Sequence, residues 1–315
     1  MKLAHLLPLT RYPYVGEPIA CPLCGGTSAT VVATMDRRLK RLTSLCCDGC
    51  GLVRTDPMPT DAELDAYYRR EYRQDYQLAG ARPSPRHIGV SLREAERRLA
   101  MLAPHLAPGA RVMDFGAGSA EFVKAAADAG FDTLGVEPGE SFANFARQTY
   151  GVRIVGGRHQ DIDFPAESFD LITSHHVIEH LRDPISMLAR FAEWLRPGGL
   201  AYIAVPDITN SGKPVFERFH FAHLYNFAPS TLVSAALKAG LEPDPRFPPA
   251  GTVIVFRKDR QGASVWAPDP AVAVQVRTAL PHTSVARHVL TGAWLRPMLN
   301  RARKYAQQAR QAAAA

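Results

Sequence analysis

A glycine-rich turn and the acids around it are the residues best placed for chemistry in this chain of 315 residues. The run from Val112 to Phe122 predicts a strand, a tight turn at Gly116 and Gly118, and the start of a helix. Glu137 follows about twenty residues later, at the end of a second predicted strand. α/β sheets build nucleoside pockets from this arrangement at the carboxyl ends of their strands. The segment therefore predicts a nucleoside-binding turn.

The residue that follows the turn selects among nucleoside ligands. A dinucleotide-binding fingerprint reads Gly-x-Gly-x-x-Gly, and this chain has Glu121 at the last of those positions. The first backbone N–H groups of the helix should face a pyrophosphate, and a carboxylate there would repel it. The sequence therefore disfavours NAD and favours a nucleoside without a pyrophosphate.

The same run resembles the class I S-adenosylmethionine (SAM) methyltransferases, whose turn reads Asp-x-Gly-x-Gly-x-Gly-x-Phe. Asp114, Gly116, Gly118 and Phe122 match this pattern, and Ala120 replaces its third glycine. The resemblance implies a Rossmann-like sheet of seven strands, with one strand inserted antiparallel at the edge. The alternation of strand and helix patterns independently predicts a doubly wound, mostly parallel α/β sheet.

The resemblance extends over residues 106–258 and implies a SAM site. By it, Glu137 binds the two ribose hydroxyls, Asp161 binds the adenine amino group, and Ile162 contacts the adenine ring. The residues that it assigns to SAM are Asp114, Phe115, Gly116, Ala117, Gly118, Phe122, Glu137, Pro138, Asp161, Ile162 and His175.

Four of the five cysteines form two Cys-x-x-Cys pairs, each followed by glycine and separated by twenty-two residues. Four thiolates at this spacing suit a tetrahedral Zn²⁺, and a closed four-sulfur site leaves no open position for catalysis. Disulfides are the alternative, which a cytoplasmic location disfavours. The predicted structural zinc ligands are Cys21, Cys24, Cys47 and Cys50; Cys46 could replace Cys47 but makes a poorer pair.

The elements that must position these residues divide the chain into four predicted parts. A zinc ribbon covers residues 1–58 and a helical connector or lid covers residues 59–105. The SAM-binding domain covers residues 106–260, and a basic helical tail covers residues 261–315. Composition suits this organisation, since 46% apolar and 21% charged residues are ordinary for a globular protein.

The connector begins with a capping box, because Thr60 is followed three residues later by Glu63. Its helix should carry Tyr68, Tyr72 and Tyr76 on one stripe, at a spacing of four residues. The stripe is predicted to pack on the SAM-binding domain, and the alternative is that one tyrosine lines the acceptor pocket. Residues 82–85 are predicted to be a link, and a second helix is expected from Ser91 to Ala103.

Most of the net charge of +7 lies in the tail, residues 261–315. The tail has seven basic residues and one acid, Asp269, so residues 1–260 have a net charge of only +1. The basic balance therefore does not predict a nucleic-acid-binding core. The tail is expected to pack on the protein; contact with an anionic membrane surface is the alternative, by the stripe Val285, Val289, Trp294 and Met298. No apolar run approaches about 18 residues and the start is too interrupted for a signal peptide, so a cytoplasmic protein is expected.

Histidines near two predicted strand ends are the candidates for the reaction itself. A hydroxyl or amine acceptor needs a base, and the predicted bases are His176, His220 and His223. His180 has a simple alternative, because a histidine here in the family starts a helix and packs. A third interpretation is a Mg²⁺ or Mn²⁺ site at His176, Glu179 and His180. That set resembles the Glu-x-x-Glu-His…His site of ubiquinone-pathway O-methyltransferases and small-RNA capping enzymes, although its extra histidine suits Mg²⁺ less.

Ribbon and SAM domain together resemble a bacterial methyltransferase group that serves glycan, sugar-nucleotide and secondary-metabolite pathways. Sugar C-methyltransferases of this kind carry a large C-terminal domain, and only about 55 residues follow Arg260 here. The sequence therefore predicts O-methylation of a sugar, a glycan or another small hydroxylated metabolite. The alternatives are an RNA methyltransferase whose ribbon binds RNA, and a non-catalytic SAM-fold scaffold. The RNA alternative depends on four basic residues of the ribbon: Arg37, Arg38, Lys40 and Arg41.

Overall fold

The structure is a computed structural model, which describes residues 10–70, 83–210, 212, 215–258, 266–280, 290 and 299. The strands of the described part are β1 (Ala29–Met35), β2 (Arg41–Cys47), β3 (Val53–Asp56), β4 (Arg111–Phe115), β5 (Asp132–Val136), β6 (Ile154–Val155), β7 (Phe169–His175), β8 (Leu195–Ala204), β9 (Tyr225–Asn226), β10 (Leu241–Pro243) and β11 (Val253–Lys258). The α-helices are α1 (Asp61–Arg70), α2 (Pro85–Leu102), α3 (Glu121–Asp128), α4 (Glu140–Tyr150), α5 (Pro184–Trp194), α6 (Pro229–Lys238) and α7 (Pro270–Ala279).

A seven-stranded sheet forms the centre of the molecule, in the order β6-β5-β4-β7-β8-β11-β10. The strands from β6 to β8 are parallel, whereas β11 is antiparallel to both β8 and β10. This confirms the predicted doubly wound α/β sheet with an antiparallel strand near one edge. The short edge strand β10 was not predicted, because three residues ending in Pro243 carry no strand pattern.

Helices cover both faces of this sheet. Successive residues of a strand point to opposite faces. Val112 of β4 accordingly belongs to an apolar cluster with α2 and α3, whereas Met113 belongs to a cluster with α5 and α6. The central strand β7 is buried along most of its length, including its polar residues Thr173 and Ser174. The sheet therefore presents its carboxyl edge, where the strands end, as the place for a ligand.

Helix α2 begins earlier than predicted. The expected link at residues 82–85 in fact ends in a helix cap: the Ser84 hydroxyl accepts a hydrogen bond from the His87 N–H at 3.2 Å. Pro85 occupies the first helical position, where a missing N–H costs nothing. Serine followed by proline is a helix-start signal, and this explains why α2 starts at Pro85 rather than Ser91.

Helix α1 begins at the predicted capping box. The Thr60 N–H donates to Glu63 at 2.8 Å, and the Glu63 N–H donates to the Thr60 hydroxyl at 3.3 Å. Tyr68 lies near the end of α1, whereas Tyr72 and Tyr76 lie outside the described residues. The proposed tyrosine stripe therefore stays a prediction.

The smaller sheet has the order β1-β2-β3-β9 and is antiparallel throughout. Its first three strands come from the N-terminal region, and β9 comes from the chain segment that follows β8. Arg54 pairs with Tyr225 and Val53 with Asn226 in this last ladder. The N-terminal strands are thus joined by backbone hydrogen bonds to the α/β part of the molecule. Among the described residues, no helix combines the length and apolar character needed to cross a membrane.

Candidate active site

The glycine-rich turn between β4 and α3 takes left-handed backbone at three positions. Gly116 has φ +78° and Gly118 has φ +56°. A Cβ at Gly116 would lie 2.3 Å from Val177 Cγ2, so this position requires glycine. Ala120 also has φ +68°, which explains why the resembling family has glycine there. Its methyl is fully buried in a cluster with Val123 and Ala143.

Glu137 lies at the end of β5 with its carboxylate directed at the turn. Its Oε2 accepts a hydrogen bond from the Gly118 N–H at 2.9 Å, and its Oε1 accepts one from the Gly139 N–H at 2.7 Å. Burial raises the pKa of Glu137, and these two N–H donors oppose the shift. A carboxylate accepts about four hydrogen bonds. Each oxygen therefore retains capacity for a hydroxyl of a ribose.

Asp114 lies below the turn in β4 and is 4% exposed. It accepts a hydrogen bond from the Thr173 hydroxyl at 2.5 Å, and its Oδ1 lies 3.6 Å from Nη1 of Arg98. Burial raises the pKa of Asp114, while the Arg98 guanidinium opposes the shift. The same guanidinium lies 4.5 Å above the Phe122 ring. Asp114 thus supports the turn from inside the protein, with a buried cation as its partner.

A cluster of histidines surrounds Glu179 just beyond the end of β7. Glu179 is 1% exposed, and neither of its oxygens has a hydrogen-bond partner among the described residues. Its Oε1 lies 3.4 Å from Nδ1 of His176, 3.9 Å from Nε2 of His180 and 3.8 Å from Nε2 of His223. We call these four residues the Glu179 cluster.

The local backbone holds this cluster in place. His180 Nδ1 lies 2.7 Å from the Ala222 carbonyl oxygen, so this nitrogen donates to the carbonyl and Nε2 faces Glu179. His176 has φ +58°, a strained conformation for a residue other than glycine, and its N–H donates to the Ala204 carbonyl at 2.8 Å. Val177, between them, packs on Gly116. The cluster and the glycine-rich turn therefore lie side by side at the carboxyl edge of the sheet.

Residues 86–244, half of the chain, match the protein family described as a methyltransferase domain. The chain is a class I SAM-dependent methyltransferase. Curated relatives include the ubiquinone biosynthesis O-methyltransferase of Hahella chejuensis, 33% identical over 97 residues that cover 29% of this chain and 41% of the relative. The corresponding enzyme of Bordetella avium is 28% identical over 158 residues, 43% of this chain and 63% of the relative. The chain thus spans about half the length of the curated relatives it matches.

Solved structures similar to this methyltransferase include a TehB-like SAM-dependent methyltransferase from Corynebacterium glutamicum. That chain is 21% identical with a TM-score of 0.41, over 56% of this chain and 100% of the other. A SAM-dependent methyltransferase structure from Listeria monocytogenes is 14% identical with a TM-score of 0.44, over 53% of this chain and 100% of the other.

The methyltransferase brings only part of the predicted SAM set to the turn. Gly116, Ala117, Gly118 and Glu137 lie together there, and Pro138 follows at the strand end. The rings of Phe115 and Phe122 are buried, Phe115 against Phe191 and Phe122 under Arg98, so their side chains pack in the core. The assignment of these residues to SAM stays a prediction.

Of the predicted adenine contacts, Asp161 ends a short helical turn, His159–Asp161, after β6, and Ile162 follows it with extended backbone. Asp161 is exposed and accepts a hydrogen bond from Nε of Arg158 at 2.8 Å, whereas Ile162 is 8% exposed. His159, which the sequence did not single out, stacks on Phe115 with ring centres 4.5 Å apart. Burial lowers the pKa of His159 to about 4, so it is a neutral packing group beside the end of β4.

The structure separates the histidines that the sequence grouped as candidate bases. His176 has a half-exposed side chain at the rim, and His223 contacts Glu179. His220 is 5% exposed, and its ring centre lies 3.5 Å from that of His223. Burial is the main cause that lowers the pKa of His220 well below its usual value, and the neighbouring His223 is the second cause. His175, the predicted SAM contact, stacks on His176, and burial lowers its pKa to about 3.

Arg98 is a site residue that sequence reasoning missed. It is 8% exposed, and its Nε and Nη1 have no hydrogen-bond partner among the described residues. The available signal was its position: Ala95, Arg98 and Leu102 form the buried stripe of α2. An arginine at an apolar position of a helix indicates a buried anion, and here the anion is Asp114.

The two cysteine pairs meet in one place. Cys21 and Cys50 have sulfurs 3.5 Å apart, and Cys24 and Cys47 have sulfurs 3.4 Å apart. All four sulfurs lie within 4.8 Å of one another. Tetrahedral zinc with Zn–S bonds of about 2.3 Å requires sulfurs about 3.8 Å apart, so the cluster has the size of such a site. Cys46 lies outside this group, and burial raises its thiol pKa to about 12.

Two other predictions concern the basic residues of the ribbon and the packing of the tail. Lys40, one of the four basic residues of the RNA alternative, is 2% exposed and lies over the Tyr12 ring. In the tail, α7 packs on the ribbon through Val276, and Arg277 pairs with Asp48 at 2.8 Å. The apolar tail stripe Val285, Val289, Trp294 and Met298 lies outside the described residues.

Proposed function

We propose that this methyltransferase transfers the methyl group of SAM to a hydroxyl oxygen of a small acceptor, a sugar, a glycan or a similar hydroxylated metabolite. The observation that carries the proposal is the Glu179 carboxylate. It is buried, lacks a hydrogen-bond donor among the described residues, and faces three imidazoles beside the SAM turn. A buried carboxylate without a partner costs several kcal/mol, on the order of 2–7 for a polar group. Such a group indicates a cation or a proton donor that arrives with the ligand.

A divalent metal ion fits the Glu179 cluster. The ligand atoms of Glu179, His180 and His223 lie within 4.8 Å of one another, and His180 donates its other ring N–H to a backbone carbonyl, as metal-binding histidines commonly do. One carboxylate and two imidazoles favour Zn²⁺, Fe²⁺ or Mn²⁺ over Mg²⁺. His223 takes the place that the sequence gave to His176. A cation here would hold the acceptor oxygen and favour loss of its proton.

The residues of the chain supply the remaining requirements of methyl transfer. The turn and Glu137 fix the donor, and a buried site excludes the water that would compete with the acceptor. The acceptor O–H loses its proton to His176, the imidazole of the cluster that is not among the ligands of this cation. The oxygen then forms the bond to the methyl carbon as the carbon–sulfur bond breaks, leaving S-adenosylhomocysteine. Reported names support oxygen as the acceptor atom, since the curated relatives are O-methyltransferases.

Aromatic side chains next to the cluster fix the segment that carries His223. Phe221, two residues before His223, contacts the rings of Tyr12, Tyr14 and Tyr67 at centroid distances of 4.5, 4.9 and 4.7 Å. Phe221, Tyr12 and Tyr67 are buried, so these rings form a small apolar core beside the proposed acceptor site. We further propose that Zn²⁺ binds the four-cysteine site in a structural role, which metal analysis of purified protein and of Cys47→Ser tests.

The deciding experiment uses SAM with a radiolabelled methyl group and fractionated cell extract, with wild type, Glu179→Gln and the exposed-site control Glu193→Gln. We expect label in a small-molecule or glycan fraction with wild type and Glu193→Gln, and label that accumulates about 10²–10³-fold more slowly with Glu179→Gln. Label in a nuclease-sensitive fraction would instead support the RNA alternative. Label transferred equally by Glu179→Gln would contradict the role of the cluster, and no transfer by any protein would support a scaffold.

A further inference from the structure

The four-cysteine site and the Glu179 cluster share one apolar core. Cys21, Cys47 and Cys50 are almost completely buried in the same cluster as Ile178 and Leu224. Ile178 precedes Glu179 and Leu224 follows His223 in the chain. Protein cores are packed as tightly as organic crystals and transmit small displacements. The two sites therefore pack on one continuous core, although their residues are far apart in sequence.

Strand β3 connects them by hydrogen bonds. The Cys47 N–H donates to the Leu52 carbonyl at 3.0 Å, and Leu52 leads directly into β3. From β3, the Thr55 N–H donates to the Leu224 carbonyl at 2.8 Å. The Thr55 hydroxyl donates to the His223 carbonyl at 3.4 Å. Thr55, which is 1% exposed, thus donates to the carbonyl groups of two successive residues, His223 and Leu224.

The segment that carries His223 has little regular structure of its own. Its strand, β9, has two residues, and both pair with β3. A second ribbon contact lies four residues before His223, where the Arg37 N–H donates to the Phe219 carbonyl at 2.9 Å. The glycine-rich turn differs: its backbone donates to Val136 and to Glu137, both at the end of β5. We call the glycine-rich turn with Glu137 the donor half of the site and the Glu179 cluster the acceptor half. The ribbon therefore contacts the segment of the acceptor half, whereas the larger sheet itself holds the donor half.

We propose that the four-cysteine site positions His223 against Glu179 through β3, with Thr55 as the positioning residue, so that metal bound by the cysteines sets the geometry of the acceptor half. This proposal rests on the proposed role of the Glu179 cluster. By this proposal, the ribbon is a structural part of the active site. Loss of the cysteine-bound metal should then displace the cluster while leaving SAM binding intact.

The test compares Cys47→Ser and Thr55→Val with wild type by three measurements: S-adenosylhomocysteine binding by calorimetry, ring resonances of ¹⁵N-labelled histidine, and methyl transfer to the labelled fraction. Cys47→Ser should release its metal, shift the ring resonances of His180 and His223, and slow transfer about 100-fold, as expected for a displacement of about 1 Å. Its affinity for S-adenosylhomocysteine should stay within about twofold, as for sites without shared partners. Thr55→Val, which keeps the cysteines, should slow transfer about 2- to 10-fold through loss of one hydrogen bond.

Arg277→Ala is the matched control, because it removes the ion pair with Asp48 beside the same cysteine pair without touching β3. It should leave both the histidine resonances and transfer unchanged. Metal loss in Cys47→Ser with unchanged resonances would overturn the proposal, as would a loss of S-adenosylhomocysteine binding as large as the loss of transfer. If Cys47→Ser does not fold, unchanged resonances and transfer in Thr55→Val overturn it. Full transfer by Glu179→Gln would refute the proposed function instead, and the resonance shifts would still decide the positioning role.

Discussion

The donor half and the acceptor half of this site are built in different ways. The donor half comes from one continuous stretch, β4 to the end of β5, whose parallel strands bring Gly116, Gly118 and Glu137 together. The acceptor half is assembled from the end of β7, the segment before β9, the ribbon and α1. A nucleoside site can thus be local and regular, while the site for a variable acceptor depends on long-range packing.

The two halves also differ in how their buried carboxylates are satisfied. In the donor half, Asp114 and Glu137 accept hydrogen bonds, and Glu121 accepts one from the Ser119 hydroxyl at 2.8 Å. In the acceptor half, Glu179 accepts none from the described residues. Satisfied carboxylates stabilise the fold, whereas an unsatisfied one stabilises a bound ligand at the expense of the free protein. Under the proposed function, the carboxylate of the acceptor half gains its partner only when a ligand binds.

Glu179→Gln should produce the largest effect. Removing the charge that organises the acceptor oxygen is expected to slow methyl transfer by about 10²–10³-fold, as for other electrostatic groups of active sites. Affinity for S-adenosylhomocysteine should be unchanged, because the described contacts of Glu179 are with His176, His180 and His223 and not with the turn. The melting temperature of the metal-free protein should rise, since a neutral amide replaces a buried carboxyl group that lacks a hydrogen-bond donor among the described residues. Transfer assays, calorimetry and thermal unfolding check these outcomes, and a lower melting temperature would contradict the assignment.

Arg98→Met should produce the next largest effect, on stability. It leaves Asp114 buried without its cation, and breaking a buried pair costs about 3–5 kcal/mol. The double variant Arg98→Met with Asp114→Asn removes both charges and should recover most of this loss. Urea unfolding of the two single variants and the double variant measures the coupling. Additive losses would show that Arg98 packs on Phe122 without an electrostatic role.

Glu137→Gln should weaken the donor half alone. Loss of a charged acceptor for the ribose hydroxyls costs about 1.5–3 kcal/mol, which corresponds to about 10- to 150-fold in affinity for S-adenosylhomocysteine. Asp161→Asn is the comparison, because Asp161 is exposed and already paired with Arg158. We expect a smaller loss from it, measured by calorimetry. Equal losses would mean that the adenine end contributes as much as the ribose end.

The same difference between the halves explains what the sequence could predict. The turn was recognised because its spacing encodes backbone geometry directly, and the strands predicted before the turn and before Glu137 are β4 and β5. The cysteine pairs were recognised for a similar reason, since ligand spacing is local. Arg98 and the pairing of Thr55 with His223 were missed because they depend on which distant segments meet. Residue spacing therefore predicted the sites formed by short stretches of sequence, whereas contacts between distant segments became visible only in the folded structure.

The smallest effect concerns Ala120, the one departure from the glycine pattern of the turn. Its left-handed backbone costs an L-residue about 1–2 kcal/mol. Two terms oppose this: burial of its methyl, worth about 0.8 kcal/mol, and the greater flexibility of unfolded glycine, worth about 0.5–1 kcal/mol. Ala120→Gly should therefore change the free energy of unfolding by less than about 1 kcal/mol, and affinity for S-adenosylhomocysteine should hardly change. Urea unfolding and calorimetry measure both.

Ala120→Val is the matched contrast, because a β-branched side chain in the left-handed region is strained and the larger side chain would have to fit in a fully buried position. It should destabilise the protein by more than about 2 kcal/mol. A tenfold gain in S-adenosylhomocysteine affinity for Ala120→Gly would instead mean that the methyl narrows the turn. The affinity of the donor half would then depend on a residue that departs from the family pattern, and the two halves would differ less than their construction indicates.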